Sequence, residues 1–168
     1  MKTTRCRMIL ICLALFASMA LAPATHAATP TTCTSTVRIS GTDFGTVVVT
    51  GNEVHYHNFQ VAGTYEGGVL AGSTFTGTQE VRQNQVNGRA TAQGSWRATG
   101  PEGTLTTRYN VTIDGSGQVK GSFTAKDGTG DLADARWNGQ ISGQLVGMDE
   151  QGLPSYVATF SGPCGNLE

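Results

Sequence analysis

The sequence predicts a single all-β domain: an antiparallel, up-and-down barrel of about eight strands, calycin-like in type. Three features carry that expectation. Apolar and polar residues alternate with period two along most of the chain, glycine-containing turns separate the alternating runs, and no run follows a 3.6-residue apolar period. Long alternation marks a sheet with one face in a core and the other in water. Closing such a sheet into a barrel removes its exposed edges and encloses an interior for side chains or one small ligand. A two-sheet β-sandwich is the alternative, since alternation is common to both architectures.

The first 27 residues read as an export signal. Lys2, Arg5 and Arg7 precede an apolar run from Met8 to Leu21, and Thr25-His26-Ala27 supplies small residues at a cleavage point before Ala28. The run is short for a membrane span, which argues against an uncleaved anchor. Cys12 lies inside the apolar run rather than after a small residue, so lipidation is not expected. The mature domain is thus residues 28–168, secreted or periplasmic, without a membrane span.

Removing the leader takes three of the 11 basic residues and leaves eight against 12 acidic ones, a net charge of −4. With no basic run to meet phosphates, nucleic acid is not an expected partner. Cys6 and Cys12 leave as well, and Cys33 and Cys164 remain near the two ends. In an exported chain, two cysteines most simply form one disulfide; two free thiols are the alternative, and two cysteines alone do not complete a metal site. No cofactor is implied.

The strands label their own faces in chain order. Val37 and Ile39 flank Arg38, and a valine run follows Phe44. From Glu53 to Glu66 the odd positions His55, His57, Phe59, Val61, Gly63 and Tyr65 are read as inward, although Val54 and Tyr56 break the pattern. Phe75 and Val81 then face opposite Thr74, Thr76, Thr78 and Glu80. Asn87-Gly88 is a hairpin signal, after which Ala90, Ala92, Gly94, Trp96 and Ala98 share a face. Leu105, Tyr109, Val111 and Ile113 continue that face; Phe123 and Ala125 precede a turn at Gly128-Thr129-Gly130, and Ala135, Trp137, Ile141 and Leu145 follow it. Tyr156, Ala158 and Phe160 form the last strand. Inward glycines at 63, 77, 94, 121, 139 and 143 let the wall bend or leave room inside.

The run from Gly121 to Arg136, with Gly128-Thr129-Gly130, Leu132 and Ala135-Arg136, followed by Gly139 and a strand from Tyr156 to Ser161, resembles the allene oxide cyclase and dirigent barrel superfamily. It also resembles bacterial barrel proteins of unknown function that share this hairpin. The resemblance implies the barrel fold and one of two activities: cyclisation of an unsaturated fatty-acid epoxide, or the steering of phenoxy-radical coupling.

For chemistry, the inward face offers His55, His57, Tyr65, Tyr109 and Tyr156 but no carboxylate within the clear strands. A glycosidase needs two converging carboxyls, and Asp127, Asp131 and Asp134 belong to a turn, where local hydrogen bonding is their expected role. His55 and His57 would point to one side of a strand, a spacing suited to metal ligation or acid/base work. The mature chain has no third histidine, so no metal is assigned and a barrel-mouth position is the reading preferred. His55, His57 and Tyr109 stand as catalytic candidates. Phe59, Tyr65, Phe75, Trp96, Tyr109, Phe123 and Trp137 are candidates to line a cavity beside small residues such as Ala90, Ala92, Gly94 and Ala125. The expected function is non-covalent binding of a small hydrophobic or aromatic molecule. The alternatives are a cofactor-independent cyclase or isomerase using the same cavity, and a barrel filled by its own side chains that acts through its surface.

Overall fold

Alternation of this length leaves each strand with one apolar face to bury, and the chain does so by wrapping one sheet around itself. A computed structural model describes residues 31–167; the leader expected over residues 1–27 lies outside them. Nine strands follow one another: β1 (Thr31–Asp43), β2 (Thr46–Thr50), β3 (Glu53–Gly68), β4 (Thr74–Asn84), β5 (Ala90–Gly100), β6 (Gly103–Ile113), β7 (Gln118–Gly130), β8 (Arg136–Met148) and β9 (Pro154–Gly165). From β3 to β9 each strand pairs with the next, β9 pairs with β1, and β1 pairs with β3. The result is a closed, antiparallel, eight-stranded barrel, with β2 outside the ring. The sandwich alternative is excluded. No helix among the described residues is long and apolar enough to cross a membrane.

The first and last strands pair with each other, from Thr31 opposite Cys164 to Ser40 opposite Ser155. Cys33 and Cys164 form a disulfide across this pair, with their Cα atoms 5.7 Å apart. It closes a loop spanning 131 residues and ties the first strand to the last.

The two ends of the barrel differ. At one end the Leu70 turn, the Leu132–Ala135 turn and Leu167 after β9 fold apolar side chains over the opening, and all four residues are buried. Beneath them the interior is solid with rings: Phe75 and Trp96 stack at 4.5 Å, while Phe123 meets Trp137 at 4.7 Å and Phe160 at 4.9 Å. Glycine makes room for them. A Cβ on Gly63 would run into the Arg38 carbonyl and the Phe75 ring, and one on Gly77 into the Ser95 carbonyl and Trp96. The opposite end, where β2, the β4–β5 turn and the β8–β9 loop gather, remains open.

Two sequence expectations are corrected. The β7–β8 turn lies at 131–135, not at Gly128-Thr129-Gly130. Gly130 and Thr129 instead pair with Gly103 and Thr104 of β6, beyond a register shift beside Asp127, whose φ is +58°. Asp127 therefore belongs to a strand, and only Asp131 and Asp134 belong to the turn. The second correction concerns β3. Its register slips between Tyr56 and Phe59, and Asn58 takes a φ of +57°. A bulge of this kind inserts an extra residue and reverses the facing of everything before it. Val54 and Tyr56 therefore share the inward face of Phe59, and His55 and His57 turn outward.

Candidate functional site at the open end of the barrel

Strand parity, reset by the β3 bulge, decides which side chains line the open end. A cavity of about 290 Å³ opens there, with Phe44, Tyr56 and Phe59 on one wall, and Leu145, Pro154 and Tyr156 on another. Below it, and sharing Phe59, Gln79, Ile113, Pro154 and Tyr156, a narrow recess of about 40 Å³ ends against Trp96 and Phe160. The recess is walled by Val61, Ala92, Val111 and Ala158, small or branched residues that leave a gap where the other half of the barrel has rings. The wider cavity reaches the lower end of the range that holds small ligands, and the recess holds little more than a methyl group or a water.

Polar groups within this apolar wall are few. Tyr109, buried at the join of recess and cavity, donates its hydroxyl hydrogen to Gln79 Oε1 at 2.8 Å. Trp96 lies against the Tyr109 ring at 4.6 Å. Burial pushes the Tyr109 phenol well above its ordinary range, so it stays protonated and a hydrogen-bond donor. Burial raises the Tyr156 phenol as well. Nearer the rim, Tyr56 reaches Gln83 Oε1 at 3.5 Å, a long contact. Gln79 and Gln83 stand two residues either side of Val81 on the same face of β4, so one strand supplies both amides.

Asp114 is the carboxylate at the rim, and its charge is occupied. It accepts from the Ser116 hydroxyl at 2.6 Å and from the backbone N–H groups of Ser116 and Gln118, which hold its pKa below the usual range and shape the β6–β7 turn. The cavity is thus lined by rings, aliphatic groups, two amides and neutral phenols. Such a lining suits a neutral, largely apolar guest.

The candidate residues divide between the two halves. Phe59, Trp96 and Tyr109 line the cavity and recess, whereas Tyr65, Phe75, Phe123 and Trp137 pack the filled half. Tyr65 accepts a hydrogen bond from Trp96 Nε1 at 3.1 Å and thereby links the two regions. His55 and His57 are removed from the cavity. His57 Nδ1 lies 2.6 Å from Glu80 Oε2, and the other oxygen of Glu80 accepts the Asn58 N–H at 3.0 Å. Glu80 thus latches the bulge from outside, and these contacts, the backbone one foremost, hold its pKa below the usual carboxylate range. His55 lies 3.1 Å from Glu53 on the same outer face. No group of three or more His, Cys, Asp or Glu side chains among the described residues is placed to hold a metal ion.

Phe44, Tyr56, Gln79 and Gln83 are among the lining residues that sequence reasoning missed. Gln79 and Gln83 had a signal, since they share parity with Phe75 and Val81. Tyr56 had one too: Val54 and Tyr56 interrupt the alternation where the bulge reverses it. Phe44 had none, because its position depends on how the chain turns between β1 and β2. No family model matches this chain, and no curated protein or solved structure matches it either.

Proposed function

We propose that the protein binds one small, neutral, apolar molecule, of one or two rings, in the open-end cavity. The observation that carries this reading is the part-buried Tyr109–Gln79 pair where the recess meets the cavity. It is a polar anchor in an apolar wall, the arrangement by which ligand pockets orient a guest. The ligand's apolar body lies among Phe44, Tyr56 and Phe59, and one polar atom reaches the phenol or amide below. The disulfide and the leader-like start of the sequence support a protein exported to an oxidising compartment.

Titration with the neutral two-ring fluorophore 6-propionyl-2-(dimethylamino)naphthalene tests it. Saturable enhancement is expected, weakened in Phe44→Ala and Tyr56→Ala at the cavity wall and unchanged in Val146→Ala on the outside of β8. Enhancement that fails to saturate, or an affinity indifferent to Phe44→Ala and Tyr56→Ala, would overturn the reading. Native mass spectrometry of protein from its own host then identifies a retained guest.

A second reading, a cofactor-independent cyclase or isomerase of the allene oxide cyclase or dirigent type, is favoured by one feature. The Tyr109 hydroxyl is protonated and held on Gln79 Oε1 at 2.8 Å, and exchanging that acceptor for a substrate oxygen would make it a placed hydrogen-bond donor. Turnover of an unsaturated epoxide, abolished in Tyr109→Phe and retained in His57→Ala, supports the enzyme; binding of the epoxide without turnover supports the carrier.

A further inference from the structure

Strand β2 lies at the end of the sheet order, bonded to β3 on one side and, among the described residues, to no strand on the other. All five of its residues are exposed, and Val47, Val48 and Val49 are 46%, 45% and 62% exposed. Edge strands in monomeric proteins are ordinarily guarded by lysine, proline or a bulge, and this one has none of these. Its sequence, Thr46-Val47-Val48-Val49-Thr50, reads the same in both directions.

The hydrogen-bond phase agrees with that symmetry. The Gly51–Asn52 turn makes Thr50 and Glu53 a hydrogen-bonded pair. Alternation along the ladder then bonds Val48 and Thr46 toward β3 and turns the N–H and C=O groups of Val47 and Val49 outward. Two copies of β2 laid antiparallel about Val48 bring Val47 opposite the second copy's Val49, and the reverse. Both are positions whose backbone groups point across the gap. Val48 meets its own counterpart at the twofold axis, and no charged side chain of β2 opposes a like charge there.

We propose that β2 is a dimerisation edge, pairing antiparallel with β2 of a second copy of this chain about a twofold axis through Val48. A lipid surface would cover the valines but leave the outward N–H and C=O groups unpaired, which favours a strand as the partner. The palindrome favours an identical strand, because a twofold interface brings one patch against itself. With only five residues on each side, the dimer is weak and its population follows protein concentration.

Sedimentation velocity from 1 to 500 μM on the wild-type protein should show a monomer–dimer equilibrium. Val47→Pro removes an outward N–H without touching the bonds to β3, and Val48→Lys sets two cations at the axis. Each should weaken the dimer at least tenfold while leaving the melting temperature within a few degrees. Val48→Cys should cross-link to itself on mild oxidation, with the Val48–Val48 linkage identified by peptide mass, whereas Val146→Cys on exposed β8 should not. A protein monomeric throughout, a dimer indifferent to Val47→Pro, or a monomer that floats with phosphatidylcholine vesicles through these valines would overturn the proposal.

Discussion

Tyr109 and His57 show how a single side chain's meaning depends on which face of the sheet it occupies. Tyr109 lies under the cavity with a bonded hydroxyl, and His57 lies outside, bound to Glu80. Tyr109→Phe is therefore expected to weaken binding of an oxygen-bearing guest about fivefold to tenfold, the worth of one net hydrogen bond, in a fluorescence titration. His55→Ala and His57→Ala should leave that affinity unchanged within a factor of two. The buried phenols also set a pH dependence. Burial raises the pKa values of Tyr65, Tyr109 and Tyr156, so the fold favours their protonated forms. Their stabilising contribution is complete below the unfolded tyrosine value of about 10 and is lost as pH rises above it toward the folded values. The melting temperature should hold level up to about pH 9 and fall from pH 10 to 12, with a smaller fall in Tyr109→Phe.

Individual strands carry the irregularities that shape the site. The β3 bulge turns Tyr56 into the cavity and the two histidines out of it. It needs a residue at Asn58 that tolerates a left-handed backbone. Asn58→Val is expected to destabilise the protein by about 1–3 kcal/mol in urea unfolding and to lower ligand affinity with it, whereas Asn58→Gly should be nearly neutral. On β4, Gly77 abuts Trp96, and an added methyl would push against the Ser95 carbonyl and the Cα and Cβ of Trp96. Gly77→Ala should cost about 1–3 kcal/mol and shift tryptophan emission, since overpacking moves Trp96. Period-two alternation made the strands themselves legible, and their bounds follow it closely. It marked the β3 bulge only as the break at Val54 and Tyr56 and did not reveal the one beside Asp127, because an added residue changes parity while leaving apolar and polar residues in similar proportion.

As a whole, the molecule is half core and half vessel. Leu70, Leu132, Ala135 and Leu167 close one end over stacked rings, and the other end opens onto the cavity. The Cys33–Cys164 disulfide joins the strands that complete the ring and spans 131 residues. In the chain-entropy account its removal costs about 4–5 kcal/mol through the unfolded state. The double substitution Cys33→Ser and Cys164→Ser should lower the urea midpoint accordingly, with far-UV circular dichroism unchanged in the absence of denaturant. A guest in the open half should raise the melting temperature with concentration, as any ligand that binds only the folded state must.

All-β class, approximate strand positions, the disulfide and most of the inward aromatic residues follow from local patterning. A period of two, turn residues and the two cysteines that follow the leader-like stretch are properties of short stretches or of simple counting. Which half of the barrel is full depends on how residues from eight strands meet across the interior. Phe123 and Trp96 look alike along the chain, yet one packs against Trp137 and Phe160 while the other forms a cavity floor. The stagger of the strands, the bulge in β3 and the turns that fold over one end create that difference. The stagger and the closing turns are long-range relations with no local signature, and the β3 bulge showed only as a break in alternation at Val54 and Tyr56, so the position of the cavity, and the exclusion of the histidines from it, emerges only when the ring closes.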